Sequence, residues 1–528
     1  MDRISVFARR QRIRNLEQWT LYAILTESFF LALYPTVAAA AVMFGVITWF
    51  LRKQIDSRYQ MLSLPFDVPV ALFLLIGAAS VFLSSARSFE LIYNYCTMVG
   101  TYGLTYLIVG QTIRTPAQVK QMAQALFVSA ILVVLWGFFQ FLFGIEIADV
   151  KWTDPEVFPE LRKRVFSTLE NPNVLAGYLD VFICLALGLL AKAERRSQKI
   201  ILVGMIVMFA ACLAMTYSRG AFLTLAIVFV IYGMIQDWRV LILFTILIGI
   251  IFYSDSTFSY RIISIFTDTL DSSEGLRIGI WVSTIPMIAD HPFTGVGWGA
   301  FKFIYPQYNY YLADSSITIY HAHNLFLNTA AEVGIVGALA YFWYFFGTMF
   351  TALAPNSKNA DDESKFQKLF NEQLIKTFST SKFLQELAQA KAMLILRMAD
   401  LSNKILDKFS PQKEQEPKKP AKKSEPELVH HEELKFSSKK KSKDDKKSDD
   451  DNFDVQKFAD DSLFETETER LTSDKKFVEG LKFGIGLAFL SMALNGMSDD
   501  LLFNIPSSML MWLLGALGVA ITLIDDEN

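Results

Sequence analysis

The sequence predicts an all-α fold: a polytopic transmembrane bundle of about twelve helices with a long extracytoplasmic loop and a largely disordered cytoplasmic insertion. Three observations predict it. The 528 residues are 52% hydrophobic with mean hydropathy +0.31, more apolar than a soluble chain of this size needs for its cores. Apolar runs recur along most of the length, and several reach the roughly 20 residues that cross a bilayer as helix. They do not alternate as the roughly ten-residue strands of a transmembrane β-barrel would. The charges between the runs, finally, are segregated by sign.

Taken in order, the expected spans are 19–33, 36–51, 67–86, 91–111, 121–143, 173–191, 200–216, 221–236, 239–253, 324–351, 480–497 and 505–524. Pro35 divides the first pair into two helices with a tight turn. With the N-terminus inside, the inner loops carry Arg52, Lys53 and Arg58, then Arg114 and Lys120, then Lys192, Arg195, Arg196 and Lys199, then Arg239. The outer loops carry Glu146, Asp149, Asp154, Glu156 and Glu160, and later Asp255, Asp268, Asp271, Glu274 and Asp290. This is a positive-inside pattern with both termini cytoplasmic. The basic start (Arg3, Arg9, Arg10, Arg12, Arg14) leads into a long run without a small-residue cleavage site, so the first helix is expected to remain as an anchor. Cys96, Cys184 and Cys212 lie within apolar runs and read as small buried hydrophobes rather than disulfide partners or metal ligands.

The chain divides into a membrane core, 1–354, with outer loops at 144–172 and 254–322; an insertion, 355–475; and two last spans in 476–528. Within the second outer loop, Ile278 to Ile288 has amphipathic spacing, and Pro286 with the Pro292/Gly295/Gly297/Gly299 run marks its end and a tight loop. The glycines follow no strand and are read as a turn that lets backbones approach, not as a nucleotide loop. In the insertion, 361–409 has helical periodicity, whereas 410–452 is Lys, Glu, Ser, Asp and Pro. Such a composition buries too little apolar surface to fold and is expected to be a solvated cytoplasmic linker.

The groups that carry chemistry are sparse and one-sided. Arg164, Arg219 and Arg277 all face outward by the derived topology, against the positive-inside trend. An arginine at a membrane edge is costly unless it pairs or serves a function. The plain reading is snorkelling or pairing, with Asp180, Glu170 or Glu332 as partners. The three together favour an anion site, because guanidinium forks match phosphate oxygens. Outside the insertion His291, His321 and His323 are the only histidines. No further His, Cys or paired carboxylate stands at ligand spacing beside His321 and His323, so no metal site is expected. Either imidazole can serve as a general base, with Asn324 as helix cap or ring orienter; a purely structural capping role is the plainer alternative.

These pieces resemble the O-antigen ligase / O-antigen polymerase superfamily. The matching motifs are Arg164 to Asn173 with Asn171-Pro172-Asn173, Ser218-Arg219-Gly220, Arg277 with Trp281, and His291-Pro292 to Gly297. His321-Ala322-His323-Asn324 with Glu332-Val333-Gly334 follows, and Asp499, Asp500 and Pro506 match more weakly. The resemblance implies a bacterial inner-membrane glycosyltransferase with periplasmic loops at 144–172 and 254–322. A glycan on undecaprenyl diphosphate would pass to an acceptor hydroxyl: a lipid A core sugar in a ligase, another lipid-linked repeat in a polymerase, or a protein hydroxyl in a protein O-oligosaccharyltransferase. The implied roles are diphosphate binding by Arg164, Arg219 and Arg277, base catalysis by His323 or His321, and support from Asn173, Asn324 and Glu332. No metal, cofactor or nucleic acid is called for; the partners are the lipid-linked donor, the acceptor and membrane lipid. The insertion 355–475 departs from the family pattern. A second class is an inorganic-carbon (bicarbonate) transporter, in which the arginines line an anion path.

Overall fold

A computed structural model of the chain describes residues 3–56, 58–145, 164–254, 259, 272–309, 318–354 and 467–527. The chain divides into two compact units, 1–375 with 470–528, and 376–469. The description below concerns the first. The helical periodicity expected at 361–409, the linker at 410–452 and most of the loop 144–172 lie outside the described residues.

Every described regular element is helical. The first five helices are α1 (Arg3–Phe30), α2 (Pro35–Ile55), α3 (Asp67–Leu83), α4 (Phe89–Asn94) and α5 (Gly100–Thr112), the last two joined by a π-helical turn at Tyr95–Val99. Then come α6 (Pro116–Phe143), α7 (Pro172–Lys192), α8 (Arg196–Ala214), α9 (Arg219–Ile235) and α10 (Trp238–Ser254). The chain continues through α11 (Ser272–Asp290), the short α12 (Phe301–Ile304), α13 (Leu325–Leu353), α14 (Glu467–Gly496) and α15 (Ile505–Glu527). A helix therefore stands at each expected span. Seven are long and apolar enough to cross a membrane: α2, α6, α7, α8, α13, and the stretches Thr472–Gly496 and Ile505–Ile524 of α14 and α15. α3, α9 and α10 are apolar but shorter. α1 is more polar, with five arginines in its first half and Glu17 and Glu27 beyond them, and the 89–112 stretch is divided by its π-turn. The protein is a polytopic helical membrane protein.

Local chemistry sets the helix ends. Thr115 and Gln118 form a capping box at the start of α6 with Pro116 at its first position, and Gly144 (φ 62°) closes it in the left-handed conformation. Asn171 caps α7 by accepting from the Asn173 N–H, and Pro172 occupies the first turn, where a missing N–H costs nothing. The Asn-Pro-Asn motif is thus a helix start that frees the Asn173 side chain for another task. Asn324 caps α13, accepting from the Phe326 and Leu327 N–H groups.

Two expectations are corrected. Pro286 lies inside α11, which runs on to Asp290, because proline this near a helix end forfeits one backbone bond without ending the last turn. Cys96 is exposed on the π-turn, while Cys184 and Cys212 are buried; all three are free thiols.

Two close approaches organise the bundle. α7 and α14 meet at glycines: a Cβ on Gly188 would lie 2.2 Å from the Gly484 N, and one on Gly484 would lie 2.8 Å from the Leu185 Cα. Small residues let membrane helices reach backbone contact where no hydrophobic force between them exists. The second approach uses the glycines after His291. The loop enters a break in α13 at Gly334 (φ 74°, ψ 171°). There Val296 N–H donates to Ala331 C=O (2.8 Å), Gly297 N–H to Glu332 C=O (2.9 Å), and Ile335 N–H to Pro292 C=O (2.7 Å). Backbone groups freed by the break are thereby satisfied. A Cβ at Gly295 (φ 64°) would lie 2.4 Å from the Glu332 carbonyl, so the backbone-approach reading of these glycines holds.

Gly188→Val is expected to lower the thermal unfolding midpoint of the purified protein through an overpacking cost of about 1–3 kcal/mol or more. Gly204→Ala, with open space around the added methyl, is expected to leave it unchanged. Equal midpoints for both variants would contradict the close crossing.

Candidate active site

The candidate residues gather where several helix ends meet, and the group that gathers them is the Asp499 carboxylate. It sits in the turn after α14, where the Ser498 and Asp499 N–H groups both donate to Asn495 C=O (3.0 Å each). Its side chain is 15% exposed. Oδ2 accepts from Arg277 Nη2 at 3.2 Å and from Asn173 Nδ2 at 3.3 Å; Oδ1 lies 3.0 Å from His323 Nδ1. Burial alone would raise its pKa. The His323 hydrogen bond, the Arg277 guanidinium and the neighbouring imidazoles outweigh burial and hold the carboxyl below the usual carboxylate range. An ionised carboxylate only accepts, so the proton on this contact belongs to His323 Nδ1, which leaves Nε2 as the open ring nitrogen.

His323 itself is a left-handed residue (φ 47°) immediately before the Asn324 cap. A non-glycine residue in that region is uncommon and histidine is among those that tolerate it. Three contacts fix it. Its carbonyl accepts from Trp281 Nε1 (3.4 Å), its N–H donates to His321 Nδ1 (3.2 Å), and its ring faces Asp499. Asn324, besides capping α13, donates through Nδ2 to Met497 C=O at 2.8 Å and ties the start of α13 to the Asp499 turn.

His321 is differently placed. Its ring lies 4.5 Å from that of Phe503 in a stacked arrangement and 4.1 Å from that of His323. With Nδ1 accepting a backbone N–H and its pKa pushed down to about 3, chiefly by burial, it is neutral and oriented. His291 lies after α11, donating its N–H to Met287 C=O and accepting from Gly295 N–H.

The arginines fall into two groups. Arg277, in α11, meets Asp499 directly. Arg164 is 5% exposed, and donates through Nε to Thr216 C=O (2.7 Å) and through Nη2 to Asn173 Oδ1 (2.7 Å). It touches the hub through Asn173 and holds the turn that leads to Arg219. Tyr217 in that turn has φ 51°, and half-buried Arg219 begins α9. A Cβ on Gly220 would come within 3.1 Å of Ser498 Oγ, which sets this helix start beside the Asp499 turn. Glu332 is 5% exposed at the α13 break.

Asp499 and Asp500 are consecutive yet differ. Burial, then the Asp499 charge, push the Asp500 carboxyl up to about 7. Sequence reasoning gave Asp499 no role. The available signal was an Asp-Asp pair between two apolar runs at the end shared by the arginines, but its partners are 176 and 222 residues away in the chain. The carboxylate that meets Arg277 is Asp499, not one of the three acids named from the sequence.

Among the described residues, His321, His323 and Asp499 place donor atoms within 4.8 Å of one another, a set able to hold a metal ion. The sequence offered no such set, because Asp499 is remote in the chain. Against a cation, the same carboxylate already carries the Arg277 guanidinium and the His323 N–H, and an added positive charge would have to displace one of them.

Residues 203–342 match the family model described as O-Antigen ligase. The match supports the chain's place in the O-antigen ligase superfamily and covers Arg219, Arg277, Trp281, His321, His323, Asn324 and Glu332. Arg164, Asn173 and Asp499 lie outside the matched residues and complete the polar cluster from elsewhere in the bundle. No curated protein matches the chain.

The Asp499 charge adds stability that is fully present above the ordinary carboxylate value of 3.8 and is lost as pH falls through its lower folded value. The stability gap between wild type and Asp499→Asn is therefore expected to be widest near neutrality and to narrow on strong acidification, followed by thermal unfolding against pH. A gap that widens in acid would contradict the ion pair.

Proposed function

We propose that the protein transfers a glycan from a prenyl diphosphate, undecaprenyl diphosphate in bacteria, to an acceptor hydroxyl at the outer face of the inner membrane. Both termini are then cytoplasmic, and the lead reading is O-antigen ligase-like transfer to a lipid A core sugar. The observation that carries it is the contact of one carboxylate with both Arg277 and His323. It sets a general base and an anion-binding guanidinium side by side.

In the proposed step, His323 Nε2 takes the proton of the acceptor hydroxyl while its Nδ1–H remains on Asp499. The acceptor oxygen forms a bond to the anomeric carbon. The bond from that carbon to the diphosphate oxygen breaks, and the leaving prenyl diphosphate keeps the electron pair. Arg277 and Arg219 meet its charge at a partly dehydrated membrane edge, where such attraction is strengthened. Asp499 stabilises the imidazolium that forms, as an oriented carboxylate does for a catalytic histidine. Arg164 and Asn173 act one side chain back and fix Asp499 and the Arg219 turn. His321, neutral and bonded to the His323 N–H, sets the loop rather than taking the proton.

His323→Ala is expected to reduce transfer from a lipid-linked donor by about 10²–10⁴-fold, the worth of a general base. His321→Ala is expected to lose less than His323→Ala. Wild-type activity in His323→Ala would remove the base. Transfer is also expected to continue in excess EDTA; abolition by chelation with recovery on adding back one divalent cation would assign the histidine pair and Asp499 to a metal instead.

A further inference from the structure

Beside the His323 site lies a cavity of about 290 Å³ that none of the roles above uses. It opens among α3, the π-turn, α13, α15 and the loop carrying Trp298. Its wall includes the rings of Trp298, Tyr320, Phe503 and Trp512 and the side chains of Asp500 and Glu332. Both acids are nearly buried, 6% and 5% exposed. The Asn328 amide and Leu502 N–H lie toward the Asp500 carboxyl, and the Gly299 and Phe301 N–H groups toward that of Glu332. Even so, Asp500 Oδ1 and Glu332 Oε1 have no hydrogen-bond partner among the described residues. A buried acceptor left unpaired is costly.

We propose that this cavity is a saccharide subsite, which seats the sugar ring next to the bond being formed. The proposal rests on the transfer reading above and adds to it the place where sugar is recognised. The chemistry of the wall selects the class. The Asp500 and Glu332 carboxyl groups of the wall are hydrogen-bonding groups, and adjacent ring hydroxyls supply several partners for them on a rigid frame. Flat aromatic walls suit the apolar C–H face of the same ring. The wall carries three acids, Glu90, Glu332 and Asp500, against one base, Lys302, which disfavours a phosphate, and an acyl chain would leave the buried acids without partners. The volume lies at the small end of ligand sites, about 300–1,000 Å³, which suits a single ring. Position agrees as well. Asp500 follows Asp499 in the chain, and Phe503 is both cavity wall and the ring on which His321 stacks. A ring seated here lies beside the proposed base.

The test is binding, read separately from transfer. Purified wild-type protein titrated with D-galactose or D-glucose is expected to show a saturable change in tryptophan fluorescence, since Trp298 and Trp512 line the cavity. Asp500→Asn is expected to weaken that binding about tenfold, as the loss of one well-placed hydrogen bond does. Trp298→Ala, an independent variant on another element, is expected to do the same, and His323→Ala is expected to retain it. In transfer assays Asp500→Asn is expected to raise KM for one substrate about tenfold while kcat changes less than about threefold. A rise for the donor assigns the ring to the lipid-linked glycan, and a rise for the acceptor assigns it to the acceptor sugar. No saturable response to either sugar, or binding unchanged in both Asp500→Asn and Trp298→Ala, would overturn the subsite. Sugar binding that survives alongside full transfer by His323→Ala would leave the subsite standing and remove the proposed base.

Discussion

One ion, the Asp499 carboxylate, holds the candidate site in its arrangement. It receives Arg277 on one oxygen, His323 on the other, and Asn173 beside Arg277. These side chains come from α11, the α13 entry loop and the start of α7, so a single anion fixes three elements at once. Buried charge is costly unless it is paired and hydrogen-bonded. Here both conditions are met: the acid stays ionised, the imidazole keeps its tautomer, and the guanidinium is held at the mouth of the site.

The rest of the bundle can be understood as the framework for that ion. α7 and α14 run antiparallel through their glycine crossing, and Asp180 accepts from Asn495 Nδ2 at 2.9 Å between the crossing and the site. This register sets Asn173 and Asp499 beside each other where α7 begins and α14 ends. On the opposite flank the glycine loop enters the broken α13, and Ser84 Oγ donates to the Val296 carbonyl. Trp298 N–H donates to Ser80 Oγ at 3.2 Å. That wedge positions Trp298 and Glu332 in the neighbouring cavity while the Asn324 cap, on the same helix, positions His323. Local rules of helix capping and glycine geometry thus reach the chemistry within two or three bonds.

Much of this was legible in the chain. Run length and hydropathy located a helix at every expected span, because a bilayer imposes helix on any long apolar stretch. The three arginines and the histidine tetrapeptide were conspicuous because charged and titratable groups are scarce in such a sequence. Asn324 was readable as a cap residue from its position. What the sequence withheld is pairing at a distance. Asp499 is one of two adjacent acids in a short turn, and nothing local says that it reaches 222 residues back to Arg277. Arg164 illustrates the converse. The sequence grouped it with the other two arginines, but burial against the Thr216 carbonyl and Asn173 gives it a holding part. The Pro286 position misled because proline ends a helix only when the lost bond matters, and here one turn remained.

The central claim is that Asp499 acts through His323, as one unit. A double-mutant cycle on transfer rate, with Asp499→Asn, His323→Ala and the pair, tests it most directly. The account predicts strong non-additivity: once His323 is gone, removing the Asp499 charge costs little further. Two losses that multiply independently would contradict it.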